Sequence, residues 1–154
     1  MKPEMTVALD DPSSAAARRL IKELDAYLNS LYPADSNYLL SVEALRQTDV
    51  TFITARLGGR VVGCGAYVDH HGEYAEVKRM FVLARFRGMK IGRRILEELE
   101  ALARSSGHRL ARLETGVSQP EALGLYARAG YRRRGPFGDY PPDPLCVFME
   151  KRLD

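Results

Sequence analysis

Long apolar runs are missing from this 154-residue sequence. No stretch approaches the ~18 to 20 consecutive apolar residues that a membrane-spanning helix requires. The first residues, MKPEMTVALDDPSS, contain neither the apolar segment of a signal peptide nor the acid-free composition of a transit peptide. We therefore expect a soluble, cytoplasmic protein that does not act at a membrane.

Cysteine is scarce, and tryptophan is absent. Cys64 and Cys146 lie in apolar, strand-like runs without CxxC or Cys/His spacing, which predicts reduced thiols rather than a disulfide, a metal site or a nucleophile. Asp69, His70 and His71 follow one another in a turn and cannot easily converge on one ion. We expect no metal, and a turn that is solvated or lines a substrate site.

The charge is unevenly distributed. Lys and Arg minus Asp and Glu gives 7 − 10 = −3 for residues 1–75, 14 − 6 = +8 for 76–134, and 2 − 4 = −2 for 135–154. A basic middle segment attracts anions such as a phosphorylated cofactor or a nucleic acid, or it is simply a solvated helix face. The sequence contains neither an RNA-recognition aromatic signature nor a clear helix-turn-helix, so we expect no nucleic-acid partner.

Hydrophobic periodicity predicts a single domain over residues 1–154. MTVALD (5–10) is a first strand, and a helix capped by Asp11 or Ser13 follows, then a shorter helix over 38–47. TFITARL and VVGCGAYV flank Gly58-Gly59 as a hairpin, and EYAEVKRMFVL continues as a strand. A helix over 90–105, the strand HRLARLET, a helix opened by a capping box at Ser118 and ended at Gly130, and strands in YRRRG and LCVFMEKRL complete the chain.

This order is β-α-α-β-β-β-α-β-α-β-β. It predicts a mixed α/β (α+β) fold, in which a mostly antiparallel sheet of about seven strands is flanked by about four helices.

The stretch MFVLARFRGMKIGRRILEELEAL (80–102) contains a turn that suits an anion. An apolar strand ends, and a helix begins at Gly88 to Gly92 with no acid before Glu97. The first amides of a helix have no partner within it and carry a partial positive charge. Glycine lets a diphosphate approach those amides, and Arg87, Lys90 and Arg93 add charge. Neither a Walker A loop nor the Rossmann string occurs, and a purely structural turn is the alternative.

VLARFRGMKIGRRIL (82–96) closely resembles the cofactor motif of the GNAT superfamily of acyl-CoA N-acyltransferases, Arg/Gln-x-x-Gly-x-Gly/Ala, which falls on Arg87 to Gly92. Lys90 stands where the first motif glycine normally lies, so its side chain must point away from the cofactor or toward a phosphate. SQPEALGLYARAGYRRRG (118–135) resembles the later family motif. LETGVSQPEALGLYARAGY and PFGDYPPDPLCVFMEK resemble a bacterial subgroup of small members.

The resemblance implies an enzyme that transfers the acetyl group of acetyl-CoA to a primary amine of a small molecule or peptide. Acetyl-CoA is then the co-substrate. Backbone groups of Phe81 and Val82 would pair with the pantetheine arm, and the carboxamide of Gln119 would reach its amides. The cofactor residues implied are Phe81, Val82, Arg87, Gly88, Met89, Lys90, Ile91, Gly92, Arg93 and Gln119.

Glu76 and Tyr126 are the catalytic candidates. In the family, a glutamate on the strand before the cofactor turn acts as base, and Ala75-Glu76-Val77 lies at the matching distance from Arg87. Glu76 could instead be a strand-face acid paired with Lys78 or Arg112, and water or a residue elsewhere could serve as base. Tyr126 matches the family tyrosine beside the thioester sulfur, or it packs on the sheet as a core aromatic.

Three further expectations stay open at the level of sequence. An inactive module that senses coenzyme A is the alternative to catalysis. The run Arg132-Arg133-Arg134 is a solvated strand end, or it binds the cofactor's 3′-phosphate or an acidic substrate. The acceptor depends on the first helices and the loop 136–145, and a homodimer is compatible with the fold.

Overall fold

A computed structural model describes residues 4–154 as a seven-stranded sheet with helices on both faces. The strands are β1 (Met5–Leu9), β2 (Val50–Leu57), β3 (Arg60–His70), β4 (Tyr74–Val82), β5 (Leu110–Gly116), β6 (Arg132–Arg134) and β7 (Cys146–Arg152). The helices are α1 (Ala15–Leu31), α2 (Val42–Leu45), α3 (Ile91–Ser105) and α4 (Pro120–Arg128), with single 3-10 turns at Ala34–Ser36 and Ala84–Phe86.

The sheet order is β1-β2-β3-β4-β5-β7-β6, and every pairing is antiparallel except β4 with β5. The predicted fold class and element order are confirmed. The Gly58-Gly59 hairpin is also confirmed: both glycines have positive φ angles, 59° and 83°, as a type I′ turn requires. Every helix within residues 4–154 is too short or too polar to span a bilayer.

Two apolar layers hold the sheet between the helices. On one face α3 packs its buried stripe, including Ile91, Ile95 and Leu99, against the strands. On the other face Leu20, Ile21 and Leu24 of α1 pack with Leu45 of α2 against the sheet. Each such fully buried side chain contributes about 1.5–3 kcal/mol relative to exposure. The layers therefore fix α1 and α3 on opposite sides of β4.

The helix starts differ from the predicted ones. Ser14, rather than Asp11 or Ser13, caps α1, because its hydroxyl accepts from the amide of Ala17. The second helix is one turn long, Val42–Leu45 instead of 38–47, and Ser41 caps it. The capping box at Ser118 is wrong: Gln119 occupies the N-cap of α4 without a side-chain cap bond. The Ser118 amide instead donates to the hydroxyl of Tyr32, the residue that follows α1.

A β-bulge in β4 changes which side chains face α1. The pairing with β3 shifts between Cys64 and Ala66, and Arg79 has a φ of 59°. Ala75 and Val77 belong to the layer under α3, whereas Phe81 belongs to the layer under α1. The extra residue reverses the alternation along the strand. Glu76 and Lys78, which precede the bulge, thus share the α1 face with Phe81.

Candidate active site

The site lies where the two parallel strands separate. β4 and β5 pair over only three positions, from Ala75 with Ala111 to Val77 with Leu113. β4 then continues to Val82 and β5 to Gly116, so their facing backbone edges diverge. A bound molecule can use such edges as an additional strand would.

Two cavities meet in the gap between the diverging ends of β4 and β5, which we call the split. The large cavity, of about 760 Å³, lies toward α3 and α4. The small cavity, of about 80 Å³, lies between the strand ends and the segment that follows α1. Four residues line both of them: Leu24, Met80, Gln119 and Tyr126. The junction of the cavities is therefore the place where a group held in one can react with a group held in the other.

The predicted anion turn forms the edge of the large cavity. Within residues 4–154, no amide from Gly88 to Arg93 donates to a backbone carbonyl, whereas the amides on either side, of Arg87 and Arg94, do. Lys90 is the N-cap of α3 in the left-handed conformation, with φ 63° and ψ 22°. The backbone thus keeps the shape for which glycine is the usual residue, although the residue is lysine. The result is a run of free amides at a positively polarised helix end, which fits a diphosphate.

The structure brings most of the predicted cofactor residues together. Nine line the large cavity, namely Phe81, Val82, Arg87, Gly88, Lys90, Ile91, Gly92, Arg93 and Gln119. Met89 does not line it, and its side chain is half exposed. A side chain at Gly92 would make only ordinary contacts with Leu125 and Val82, so this glycine leaves space toward the cavity rather than relieving a clash.

Sequence reasoning missed several residues around the large cavity. Arg94 and Arg128 add positive charge to its lining. The hydroxyl of Tyr27 on α1 donates to Glu121 on α4 at 2.9 Å, and the guanidinium of Arg87 lies over the Tyr27 ring. No local motif marks Tyr27, because α1 reaches the cavity only through the tertiary fold.

Tyr126 is buried at the junction of the cavities. Its ring packs edge-on against Tyr131, with centroids 5.8 Å apart. Burial, and then the charge of Glu114, raise the pKa of its hydroxyl. The hydroxyl therefore stays protonated at neutral pH and can act only as a hydrogen-bond or proton donor to a developing anion.

Glu76 lies apart from the residues that line either cavity. It is buried, and its carboxylate already has three neighbours: Oε1 is 2.8 Å from His70 Nε2, Oε2 accepts from the Tyr140 hydroxyl and is 3.7 Å from Lys78 Nζ. The structure thus does not bring Glu76 and Tyr126 into one cavity. The alternative considered for Glu76, an acid on the strand face paired with Lys78, matches this geometry.

Glu114 is the acidic residue that the sequence analysis did not single out. It lines the small cavity together with Tyr126. Burial raises its pKa to about 7, which places its charge change at neutral pH. Its one sequence signal is the alternation of β5: Ala111 and Leu113 face the α3 layer, so Glu114 faces the other side. That signal is readable only once β5 is known to be a central strand.

Tyr32 closes the small cavity beside β5. Its hydroxyl donates to Gln119 Oε1 and accepts from the Ser118 amide, both at 3.1 Å. A Cβ at Gly116 would overlap the hydroxyl and the ring of Tyr32. Tyr32 therefore ties the end of α1 to the start of α4 across the split.

The remaining candidates lie away from both cavities. Asp69 pairs with buried His108 at 2.9 Å, and residues 4–154 contain no group of three His, Cys, Asp or Glu that could hold a metal. Arg132 and Arg133 are exposed on edge strand β6, and neither lines the large cavity. Cys64 and Cys146 are free, as expected.

Comparison with known proteins gives a consistent result. Residues 17–131 match the family described as the acetyltransferase (GNAT) family. The chain is 51% identical to an IAA acetyltransferase of Azospirillum brasilense over 98% of this chain and 99% of the relative. It is 30% identical to an uncharacterized N-acetyltransferase of Bacillus subtilis (strain 168), over 97% of this chain and all of the relative.

A solved structure from Klebsiella pneumoniae subsp. pneumoniae MGH 78578, provisionally assigned as an acyl-CoA N-acyltransferase, superposes with a TM-score of 0.83 at 37% identity. The match covers 97% of this chain and 98% of that one.

Proposed function

The chain belongs to the acetyltransferase (GNAT) family, and we propose that it transfers the acetyl group of acetyl-CoA to a primary amine of a small molecule or peptide. The observation that carries this proposal is the run of free amides from Gly88 to Arg93 at the edge of a large cavity. A diphosphate is the part of coenzyme A that such a run of amides recognises.

The large cavity suits coenzyme A in size and charge. Its volume of about 760 Å³ is within the usual range for small-molecule and cofactor sites. Arg87, Lys90 and Arg93 would neutralise the phosphates, and the open edge of Phe81 and Val82 would pair with the pantetheine amides. Gln119, which lines both cavities, would contact the arm near the reacting end.

We propose Glu114 as the base and Tyr126 as the acid. Bound acetyl-CoA supplies an acyl group that is already joined to a good leaving group, a thiolate. Glu114 would take one proton from the acceptor's ammonium, because a protonated amine has no lone pair with which to attack. The amine nitrogen would then form the new C–N bond as the C–S bond breaks, and Tyr126 would donate its hydroxyl proton to the departing thiolate. The second proton leaving the nitrogen would restore the Tyr126 hydroxyl, and the proton on Glu114 would pass to solvent. Both side chains line the small cavity, and a carboxyl with a pKa of about 7 is suited to a base that works at neutral pH.

The acceptor's reacting end would be slim. The small cavity of about 80 Å³ admits an aminomethyl group more readily than a branched or aromatic one. The carboxylate of Glu114 lines this cavity and favours a cation, and Asp143 outside it adds negative charge close enough to act on Glu114. The bulk of the acceptor would remain outside, near Asn37, Tyr38 and Leu145, which also line the cavity.

The test is release of free thiol from acetyl-CoA with a panel of primary amines, peptides and the compound for which the Azospirillum relative is named. We expect turnover with an unbranched primary amine. Glu114→Gln and Tyr126→Phe should each lower kcat by about 10²-fold or more while coenzyme A affinity is retained. Glu73→Gln, which changes an exposed acid in the turn just before β4, is the control and should be unaffected.

Coenzyme A binding without turnover on any amine would overturn the enzymatic proposal and favour a sensor module.

A further inference from the structure

A buried charged group lies beside the small cavity, on the α1 face of β4. At its centre is Glu76, which is 5% exposed. One carboxylate oxygen is 2.8 Å from His70 Nε2, and the other accepts from the Tyr140 hydroxyl. Glu76 is thus occupied by neighbours, and a substrate amine would have to displace them to reach it.

Lys78 is the cation of this group. Its Nζ donates to the Tyr38 carbonyl and to the Tyr140 hydroxyl, both at 2.8 Å, and lies 3.7 Å from Glu76 Oε2. Two of the three ammonium protons thus have hydrogen-bond acceptors, and the charge is paired with Glu76 at salt-bridge distance. The side chain is 10% exposed, so its ammonium is held in place rather than moving freely in solvent.

The strand register places Lys78 next to Glu114. Val77 and Leu113 form the last parallel pair, so Lys78 and Glu114 are the next residues on adjacent strands and face the same side of the sheet. Both line the small cavity. An ammonium that cannot move away thus faces the carboxyl that the acceptor amine would meet.

Two arginines near Glu114 are paired with other acids: Arg79, which lines the small cavity, with Asp25 at 2.6 Å, and Arg112 on β5 with Glu150 at 3.6 Å. The remaining titratable groups around Glu114 are acidic or neutral. Glu76 faces it from β4, and Asp143 and Cys146 face it from the loop before β7 and the start of that strand. The phenols of Tyr32, Tyr38, Tyr126 and Tyr140 lie within its electrostatic reach. Lys78 is the cation whose charge lowers the pKa of Glu114. It therefore opposes both the burial of Glu114 and the repulsion from neighbouring carboxylates.

We infer that Lys78, held in place by Glu76 and Tyr140, is a positioning residue that keeps Glu114 ionised for proton removal, and that Glu76 acts through Lys78 rather than on the amine. The inference rests on the proposed role of Glu114. In this inference Glu76, the glutamate of the motif on β4, supports the base. The base itself is Glu114 on β5.

The test is a titration of the glutamate side chains, labelled with ¹³C at the carboxyl carbon, followed by NMR in the full chain without acetyl-CoA. Glu114→Gln identifies the Glu114 signal. Lys78→Gln should raise the pKa of Glu114 by about one unit or more, because a nearby opposite charge is lost. Glu76→Gln should lower that pKa, because a like charge is lost while the ammonium stays.

The double variant Glu76→Gln/Lys78→Gln should titrate between the two single variants, and it avoids leaving one buried charge without its partner. Glu73→Gln should leave the signal unmoved. Shifts of the same sign in both single variants, or no shift in either, would overturn the inference.

Activity provides an independent arm. With acetyl-CoA and the best primary amine of the panel, folded Glu76→Gln should lose only part of its turnover, because Lys78 is held less firmly, and the acid limb of kcat/KM should move to lower pH. Complete loss of turnover at every pH in that variant would identify Glu76 as the base and refute the inference. Absence of turnover in the unaltered chain would instead refute the proposed function, while the titration would remain readable.

Discussion

A substitution at Gly116 tests directly how Tyr32 connects the end of α1 to the start of α4. Gly116 ends β5, and its backbone needs no positive φ, so alanine is compatible with the local conformation. The obstacle is tertiary: a Cβ there would overlap the hydroxyl and ring of Tyr32 and would lie 2.8 Å from its Cε1. In Gly116→Ala, Tyr32 would have to move by ~1.5 Å to restore ordinary contact distances.

The cost follows from what Tyr32 loses. Its two hydrogen bonds, to Ser118 and Gln119, each contribute about 1 kcal/mol net. Overpacking of a buried ring adds about 1–3 kcal/mol. We expect Gly116→Ala to lower the free energy of unfolding by about 3–5 kcal/mol. For a domain of this size the melting temperature should fall by roughly 6–20 °C, at about 2–4 °C per kcal/mol.

Thermal and urea unfolding measure this loss, and calorimetry measures coenzyme A affinity in the same variants. Gly124→Ala is the matched control. Its added Cβ meets the flexible end of Arg128, and alanine suits the interior of α4, so stability should hold or rise. In a Tyr32→Ala background the Gly116→Ala change should cost less than 1 kcal/mol, because the overlapping ring is gone. An equal cost in both backgrounds would refute the proposed steric coupling.

The remaining predictions concern one charge and two backbone positions. Glu114 has a folded pKa of about 7 against an ordinary 4.5, so its folded form binds more protons between those values and loses stability as pH rises through them. Glu114→Gln should be on the order of 3 kcal/mol more stable than the unaltered chain at pH 8 and equal to it at pH 4, by urea unfolding. Gly92→Glu should weaken coenzyme A binding at least about tenfold, by calorimetry, with an unchanged melting temperature, because it puts a like charge beside the diphosphate; equal affinity would contradict the anion site. Lys90→Gly should raise the melting temperature by about 1–4 °C, because the left-handed backbone conformation at this position destabilises the fold more with lysine than with glycine. The same variant should reduce coenzyme A affinity by less than tenfold. A lower melting temperature would contradict the backbone strain inferred at Lys90.

The sheet could be predicted because its signals are local. Alternating apolar residues, the Gly58-Gly59 turn and the long amphipathic pattern of α3 each fall within a short window. One failure occurs where a tertiary contact decides. The amide of Ser118 is bound by Tyr32, 86 residues away in sequence, so the capping box that the local spacing favours does not form. The second helix is one turn long, and its true start at Val42 is marked by the Ser41 cap, a local signal that the prediction of 38–47 did not use.

The two halves of the candidate site differ in the same way. The anion half is built from consecutive main-chain amides, so one short motif contains nearly all of it. The acceptor half is built from side chains that the fold collects from separate elements, Tyr32 after α1, Lys78 on β4, Glu114 on β5 and Tyr126 on α4. No window of the sequence holds these residues together, and only Tyr126 was singled out.

The short parallel pairing of β4 with β5 explains why the acid in the motif, Glu76, and the acid at the small cavity, Glu114, are different residues. Glu76 is still within the paired part of β4, where Arg112 faces it and the sheet is closed. Glu114 lies one position beyond the last pair, where the strands have begun to separate and a bound molecule can reach the α1 face. The sequence motif on β4 fixes how far the glutamate lies along the chain from the anion turn. Whether a bound molecule can reach a side chain depends instead on where β4 and β5 stop pairing. In this chain that point follows Val77. The proposed proton-accepting position is therefore on β5 rather than β4, and the proposed role of Glu76 is to hold Lys78 between them.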